Sequence, residues 1–95
     1  MNFEIEHDEV KGKFFTIIDG KEARLEYEKI DDRTIEFPYT YVPPALRGKG
    51  IGARLVEYGL NYAITNNFAV IPACSYVENF IHRHQKYKDL VRDSF

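Results

Sequence analysis

Only one cysteine, Cys74, occurs among the 95 residues, and tryptophan is absent. A lone thiol excludes an internal disulfide framework and an all-cysteine zinc site, and it fits a reducing compartment. Neither charge dominates: 13 Lys and Arg stand against 15 Asp and Glu, a formal net charge of -2. That balance excludes an extended basic surface and, with it, nucleic acid as the expected partner. No apolar run approaches the ~20 residues of a membrane span, so no membrane association is expected. The opening Met1-Asn2-Phe3-Glu4 lacks the basic start of a secretory signal. His7, His82 and His84 have no metal-ligand spacing with the carboxylates or Cys74, and no metal is expected. Repeats, low-complexity tracts and linkers are missing too. What is present is an ordinary globular composition, 44% hydrophobic and 29% charged, at a length that holds one core. The expectation is a single cytoplasmic domain over residues 1–95, a monomer or homodimer.

Residues 3–42 read as strands. Phe3 to His7 alternates apolar and polar, the period of a half-buried strand. A polar turn over Asp8 to Gly12 precedes Phe14–Ile18, and Asp19-Gly20 has hairpin chemistry because both residues tolerate positive φ. Ala23, Leu25 and Tyr27 then alternate with Arg24, Glu26 and Glu28, Asp31-Asp32 makes a turn, and Thr34–Val42 forms a fourth strand. Pro38 cannot donate to a ladder, so it marks a bulge or splay within that strand.

The second half changes period. Ile51, Leu55, Val56, Leu60, Ala63 and Ile64 predict a helix of about four turns with one buried face. Gly59 inside it costs about 1 kcal/mol against Ala and so implies close packing on the sheet. Asn66-Asn67 ends the helix. Phe68–Ile71 is a short apolar run that suits a strand covered on both faces. Ser75-x-x-Glu78 reads as a capping box opening a last helix that buries Val77, Phe80, Ile81 and His84. The order β-β-β-β-α-β-α predicts a mixed α+β fold: an antiparallel meander, a parallel β-α-β crossover and a C-terminal helix.

Between the fourth strand and the long helix stands Pro43-Pro44-Ala45-Leu46-Arg47-Gly48-Lys49-Gly50-Ile51-Gly52. The first N–H groups of a helix lack intrahelical partners and carry partial positive charge. Glycines there admit a phosphate to the backbone, and Arg47 and Lys49 add formal charge, so the stretch reads as an anion-cradling loop. The alternative is a glycine-rich turn with incidental basic residues. Neither the P-loop pattern nor the dinucleotide fingerprint is present, because the spacing here is Gly-x-Gly-x-Gly.

Arg47-x-x-Gly50-x-Gly52 resembles the acyl-coenzyme A signature of the Gcn5-related N-acetyltransferases, Gln/Arg-x-x-Gly-x-Gly/Ala. The likeness widens in a small single-domain branch with blocks of the form His-Thr-x-Val-Pro, Arg-Gly-x-Gly-Ile and Cys-x-Tyr-Val. This chain shows Tyr39-Thr40-Tyr41-Val42-Pro43, Arg47-Gly48-Lys49-Gly50-Ile51 and Cys74-Ser75-Tyr76-Val77. Tyr39 stands where the branch usually has histidine. The resemblance implies a minimal acetyltransferase fold, with the pantetheine arm of acetyl-coenzyme A between splayed parallel strands and its pyrophosphate on Arg47, Gly48, Lys49, Gly50, Ile51 and Gly52. Thr40, Tyr41 and Val42 would contact the pantetheine.

The activity implied is acetyl transfer to an amine, a protein lysine or N-terminus among the acceptors, by direct attack or through Cys74. That thiol precedes a helix start, which favours the thiolate, although an inert buried cysteine is the plainer reading. Tyr76 is the candidate acid toward sulfur and Glu36 the candidate base, each with a plain alternative as a packing or exposed strand residue. Glu4, Glu6, Glu22, Glu26 and Glu28 read as a solvated face that would also attract a cationic amine, and Arg83 to Lys88 as charge available to nucleotide phosphates. The rival readings are a non-catalytic coenzyme A sensor and a protein-interaction module.

Overall fold

The computed structural model describes residues 3–92; the reading of Met1-Asn2 lies outside them. The chain runs β1 (Glu6–Asp8), β2 (Lys13–Ile18), β3 (Lys21–Asp31) and β4 (Thr34–Tyr41), then α1 (Ile51–Thr65), β5 (Ala69–Ile71) and α2 (Ser75–Arg83). One five-stranded sheet results, in the order β1-β2-β3-β4-β5. The first three pairings are antiparallel and β4–β5 is parallel, so the predicted meander and crossover are both present. Asp19 and Gly20 have φ of 52° and 76°, the two left-handed residues of a primed hairpin turn.

Strand alternation sorts the sheet into two unlike faces. Phe14, Ala23, Leu25, Ile35 and Phe37 are fully buried and belong to the same core as Leu55, Val56 and Leu60 of α1. The opposite face carries Lys13, Phe15, Glu22, Arg24, Glu26, Tyr39 and Tyr41, all half-buried or exposed. Lys13 pairs with Glu22 at 2.7 Å and Arg24 with Glu26 at 2.8 Å. The Arg24 guanidinium also lies under the rings of Tyr39 and Tyr41, 5.5 and 5.2 Å from their centroids.

Four expectations need correction. The first strand is shorter than Phe3–His7: Phe3 packs instead beneath Arg54 of α1, 5.4 Å from its guanidinium. Ile64 is 48% exposed, because the buried arc of α1 ends at Ala63. β5 is not fully covered on both faces: Val70 is buried, Ala69 and Ile71 on the other face are half-buried, and the strand lies outermost in the sheet. The Val91 backbone bridges to Val70 along that edge, with Arg92 N–H donating to Val70 C=O at 2.8 Å. His84 is exposed; it ends α2, with Nδ1 at 2.9 Å from Phe80 C=O and its ring stacked on Phe80.

Two irregularities shape β4. Glu26 pairs with Tyr39 and Glu28 with Glu36, so Phe37 and Pro38 together oppose Tyr27. This is a β-bulge at the proline, where a ladder bond could not form. On the other side, β4 pairs with β5 only over Thr34–Glu36 and Ala69–Ile71. Past Glu36 the parallel strands separate.

Gly59 lies where α1 crosses the sheet. A Cβ there would fall 2.7 Å from Leu25 Cδ2 and 3.1 Å from Phe37 Cε1. Gly59→Ala gains about 1 kcal/mol of helix propensity and loses about 1–3 kcal/mol to overpacking of a filled core. The expected outcome in denaturant unfolding is a net loss of about 1 kcal/mol. A variant as stable as the parent would contradict the close approach.

Candidate functional site

β4 ends into Pro43, a short 3-10 turn over Pro44–Leu46, and the glycine loop. Leu46 N–H bonds to Pro43 C=O at 2.9 Å, and Arg47 donates through Nε to Val42 C=O at 2.8 Å. That side-chain bond ties the loop back to the strand. It uses one of the five guanidinium N–H donors. Gly48 and Gly50 have φ of 80° and 78°, a region L side chains rarely adopt. Gly50 is the N-cap of α1, and its C=O accepts from Arg54 N–H at 3.1 Å. Having no side chain, it leaves the first N–H groups of α1 uncapped.

Of the nine residues the sequence assigns to the cofactor loop and strand end, all but Lys49 line one cavity of about 360 Å³, which Leu46 and Tyr76 complete. A Cβ on Gly48 or Gly50 would meet nothing within 4 Å, so both open onto free space. Gly52 differs. It is buried, and a Cβ there would fall 2.7 Å from the Tyr76 hydroxyl. Gly52 is thus the floor on which the Tyr76 ring rests.

Cys74 reaches the same region from β5. Its N–H bonds to Phe37 C=O at 3.0 Å, across the point where the strands separate. That bond fixes Cys74 in an extended conformation (φ −91°, ψ 130°) as the N-cap of α2. The expected Ser75–Glu78 box therefore does not form: Ser75 sits one place inside the helix, and Glu78 N–H bonds to Cys74 C=O. The thiol instead donates toward Thr40 Oγ1 at 3.6 Å. Burial pushes the Cys74 thiol up, but the Thr40 hydroxyl and the N–H groups of Val77, Tyr76 and Thr40 outweigh it, and the thiol lies below its ordinary value. The neutral thiol makes no cap bond. It is the ionised sulfur that those N–H groups favour.

Glu36 stands apart from this group. Its strand neighbours are Glu28 on β3 and Ile71 on β5, and it lines a separate cavity of about 280 Å³ with Ala73 and Glu78. The two cavities have no lining residue in common. Along β4, Phe37–Tyr39 divides them. Lys49 is exposed beside the cradle. The positive charges from Arg83 to Lys88 are elsewhere: Tyr87 in their midst contacts Asn61, eleven residues along α1 from Gly50 or about 16 Å of helix. They do not belong to the cradle. Sequence reasoning missed the Thr40–Cys74 contact, which spans 34 positions and leaves no local pattern. It also read Glu78 as a cap, although the spacing Cys74-x-x-x-Glu78 puts the two one helical turn apart.

Comparison with known proteins fits this geometry. A family model described as GCN5-related N-acetyl-transferase matches residues 13–90. The protein NATD1 of Bos taurus is 29% identical over 79 residues, covering 81% of this chain and 70% of the relative. NATD1 of Danio rerio is 25% identical over 91 residues, covering 92% and 83%. The solution structure of a Staphylococcus aureus protein described as GCN5-like superposes with a TM-score of 0.75 at 26% identity, over 97% of this chain and 90% of that one.

The thiol environment has a direct consequence. Only the thiolate alkylates, so a lowered thiol titrates and reacts at lower pH than an ordinary cysteine. The iodoacetamide rate of Cys74 is expected to rise with a midpoint below that of free cysteine. Thr40→Val, which removes the hydroxyl, shifts the midpoint upward. A wild-type midpoint at or above that of free cysteine would refute the described environment.

Proposed function

The chain belongs to the GCN5-related N-acetyltransferase family, and from that membership we propose that it binds acetyl-coenzyme A at Arg47–Gly52 and transfers the acetyl group to an amine. The observation that carries the reading is the cradle itself: an uncapped helix start beside two open, left-handed glycines. Such a terminus suits an anion, since its N–H groups point outward with partial positive charge. Arg47 and Lys49 add charge for the pyrophosphate. Thr40, Tyr41 and Val42 are available to the pantetheine amides where β4 has left β5.

Bound acetyl-coenzyme A supplies an acetyl thioester. In the direct route the C–N bond forms as the C–S bond breaks. An ammonium acceptor sheds two protons overall, of which one ends on the departing sulfur and one in solvent. Glu36, which lies across Phe37–Tyr39 from the cradle, accepts a proton from the amine through water, and the Tyr76 hydroxyl donates to sulfur. In the second route the Cys74 thiolate takes the acetyl group before the amine does, and the N–H groups at the start of α2 favour that thiolate. The positions of Thr40 and Tyr76 beside the cradle support either route.

Thermal unfolding tests the cofactor site. Acetyl-coenzyme A at about 100 times its dissociation constant stabilises by about 2.7 kcal/mol, a rise on the order of ten degrees for a domain of this size. Lys49→Glu is expected to diminish the rise, because an exposed charge reversal weakens phosphate binding without disturbing the core. Cys74→Ala is expected to keep the rise, and its turnover separates the two routes. An unchanged melting temperature at millimolar acetyl-coenzyme A would sink the reading and leave a protein-interaction module.

A further inference from the structure

Two cavities outside the cradle lie along the β5 edge, where Val91 bridges to Val70. One cavity, of about 410 Å³, has Pro72, Ile81 and Val91 as its apolar floor, with Glu78, His82 and Lys88 among its polar walls. The smaller cavity that contains Glu36 shares Pro72, Glu78 and Val91 with it. The two adjoin at these residues and together form a candidate groove. It starts at Glu36 and Ala73, beside the separation of β4 from β5, and runs along α2 toward the 3-10 turn Gln85–Leu90.

Charges of both signs line this groove. Glu36 and Glu78 stand at the end near the strand separation. Among the described residues neither makes an ion pair. Arg92 also borders that end, where it bonds Thr34 Oγ1 and approaches Asp31. Glu78 and His82 are four residues apart on α2, so successive polar positions follow the groove at about one helical turn, ~6 Å. Lys88 closes the far end. An apolar floor between a carboxylate pair and a cation complements a molecule with the reverse order: an ammonium, a short alkyl chain and a carboxylate.

We propose that this groove is the acceptor site and that it takes an ω-amino acid, with its amine between Glu36 and Glu78 and its carboxylate at Lys88 and His82. The proposal rests on the acetyltransferase reading and names its substrate class. It also accounts for product release. Acetylation removes the ammonium charge, so the product loses its attraction to Glu36 and Glu78 while the weaker contact at Lys88 remains.

The test is an amide chemical-shift titration of the whole protein with ε-aminocaproate, set beside pentylamine and caproate, which each lack one charged end. Expected are saturable shifts at Glu78, His82 and Lys88, with both single-ended compounds binding at least tenfold more weakly. Lys88→Ala should weaken ε-aminocaproate tenfold and leave pentylamine unchanged. Lys88 is exposed and outside the core, so this variant keeps the fold. Absence of saturable shifts in the groove, equal binding of pentylamine, or full binding by Lys88→Ala would each overturn the proposal. The titration contains no acetyl-coenzyme A, so its failure leaves the cradle reading intact. A bound ε-aminocaproate without any melting shift from acetyl-coenzyme A would instead keep the groove and remove the enzyme.

Discussion

Pro38 has no N–H to give to a ladder, and it stands in the middle of a strand that must pair on both sides. The chain resolves this by bulging Phe37 and Pro38 against Tyr27 on one side and by ending the pairing with β5 at Glu36 on the other. Separation frees the Phe37 carbonyl from β5, and the Cys74 N–H takes it up at 3.0 Å. That one bond sets where α2 begins and which side chain is its cap. It also carries the only thiol in the sequence to the Thr40 hydroxyl. The cradle, the thiol and the carboxylate of Glu36 are thus arranged around one interruption in a parallel pair.

The glycines of α1 divide by function. Gly50 supplies a left-handed cap that L side chains rarely adopt, and its lack of a side chain leaves the helix N–H groups without a side-chain cap. Gly52 and Gly59 have ordinary φ and are needed for space, one under Tyr76 and the other against Leu25 and Phe37. Both destabilise the isolated helix by about 1 kcal/mol relative to Ala. The sheet and α2 repay that through contact. Helix α1 is therefore weak as a peptide and well determined in the fold, as expected when helical stability comes from an amphipathic face.

Legibility in the sequence followed the range of the signal. The hairpin at Asp19-Gly20, the alternation of β3 and the period of α1 are local, and each stands where the pattern put it. The crossover needs only that a strand, a helix and a strand follow one another. The bulge was visible because proline has one chemical consequence in a ladder. What stayed hidden depended on distant partners. Ser75-x-x-Glu78 satisfies the capping-box pattern, yet Phe37, 37 positions before Cys74, fixes the cap one residue earlier. Phe68–Ile71 is apolar enough for a central strand. Beyond it, among the described residues, Val91 adds one isolated bridge and not a strand. At the candidate site the glycine loop was legible as chemistry, whereas the approach of Thr40 to Cys74 was not.

Charge on the open face of the sheet bears on where chemistry could occur. Glu22 and Glu26 have Lys13 and Arg24 as partners, and Arg24 is held further by the rings of Tyr39 and Tyr41. Most of the face is therefore internally balanced. The exception is Glu28, directly opposite Glu36. Like charges in that relation are destabilising by a few tenths to about 1 kcal/mol. A sheet optimised for stability alone would put Lys or Thr at one of the two places. The unfavourable pair stands at the last paired residue before β4 and β5 part, where the proposed reaction calls for a base. The local loss of stability and the proposed proton acceptor thus coincide at Glu36, and an ammonium entering beside the pair would relieve the repulsion that the free protein bears.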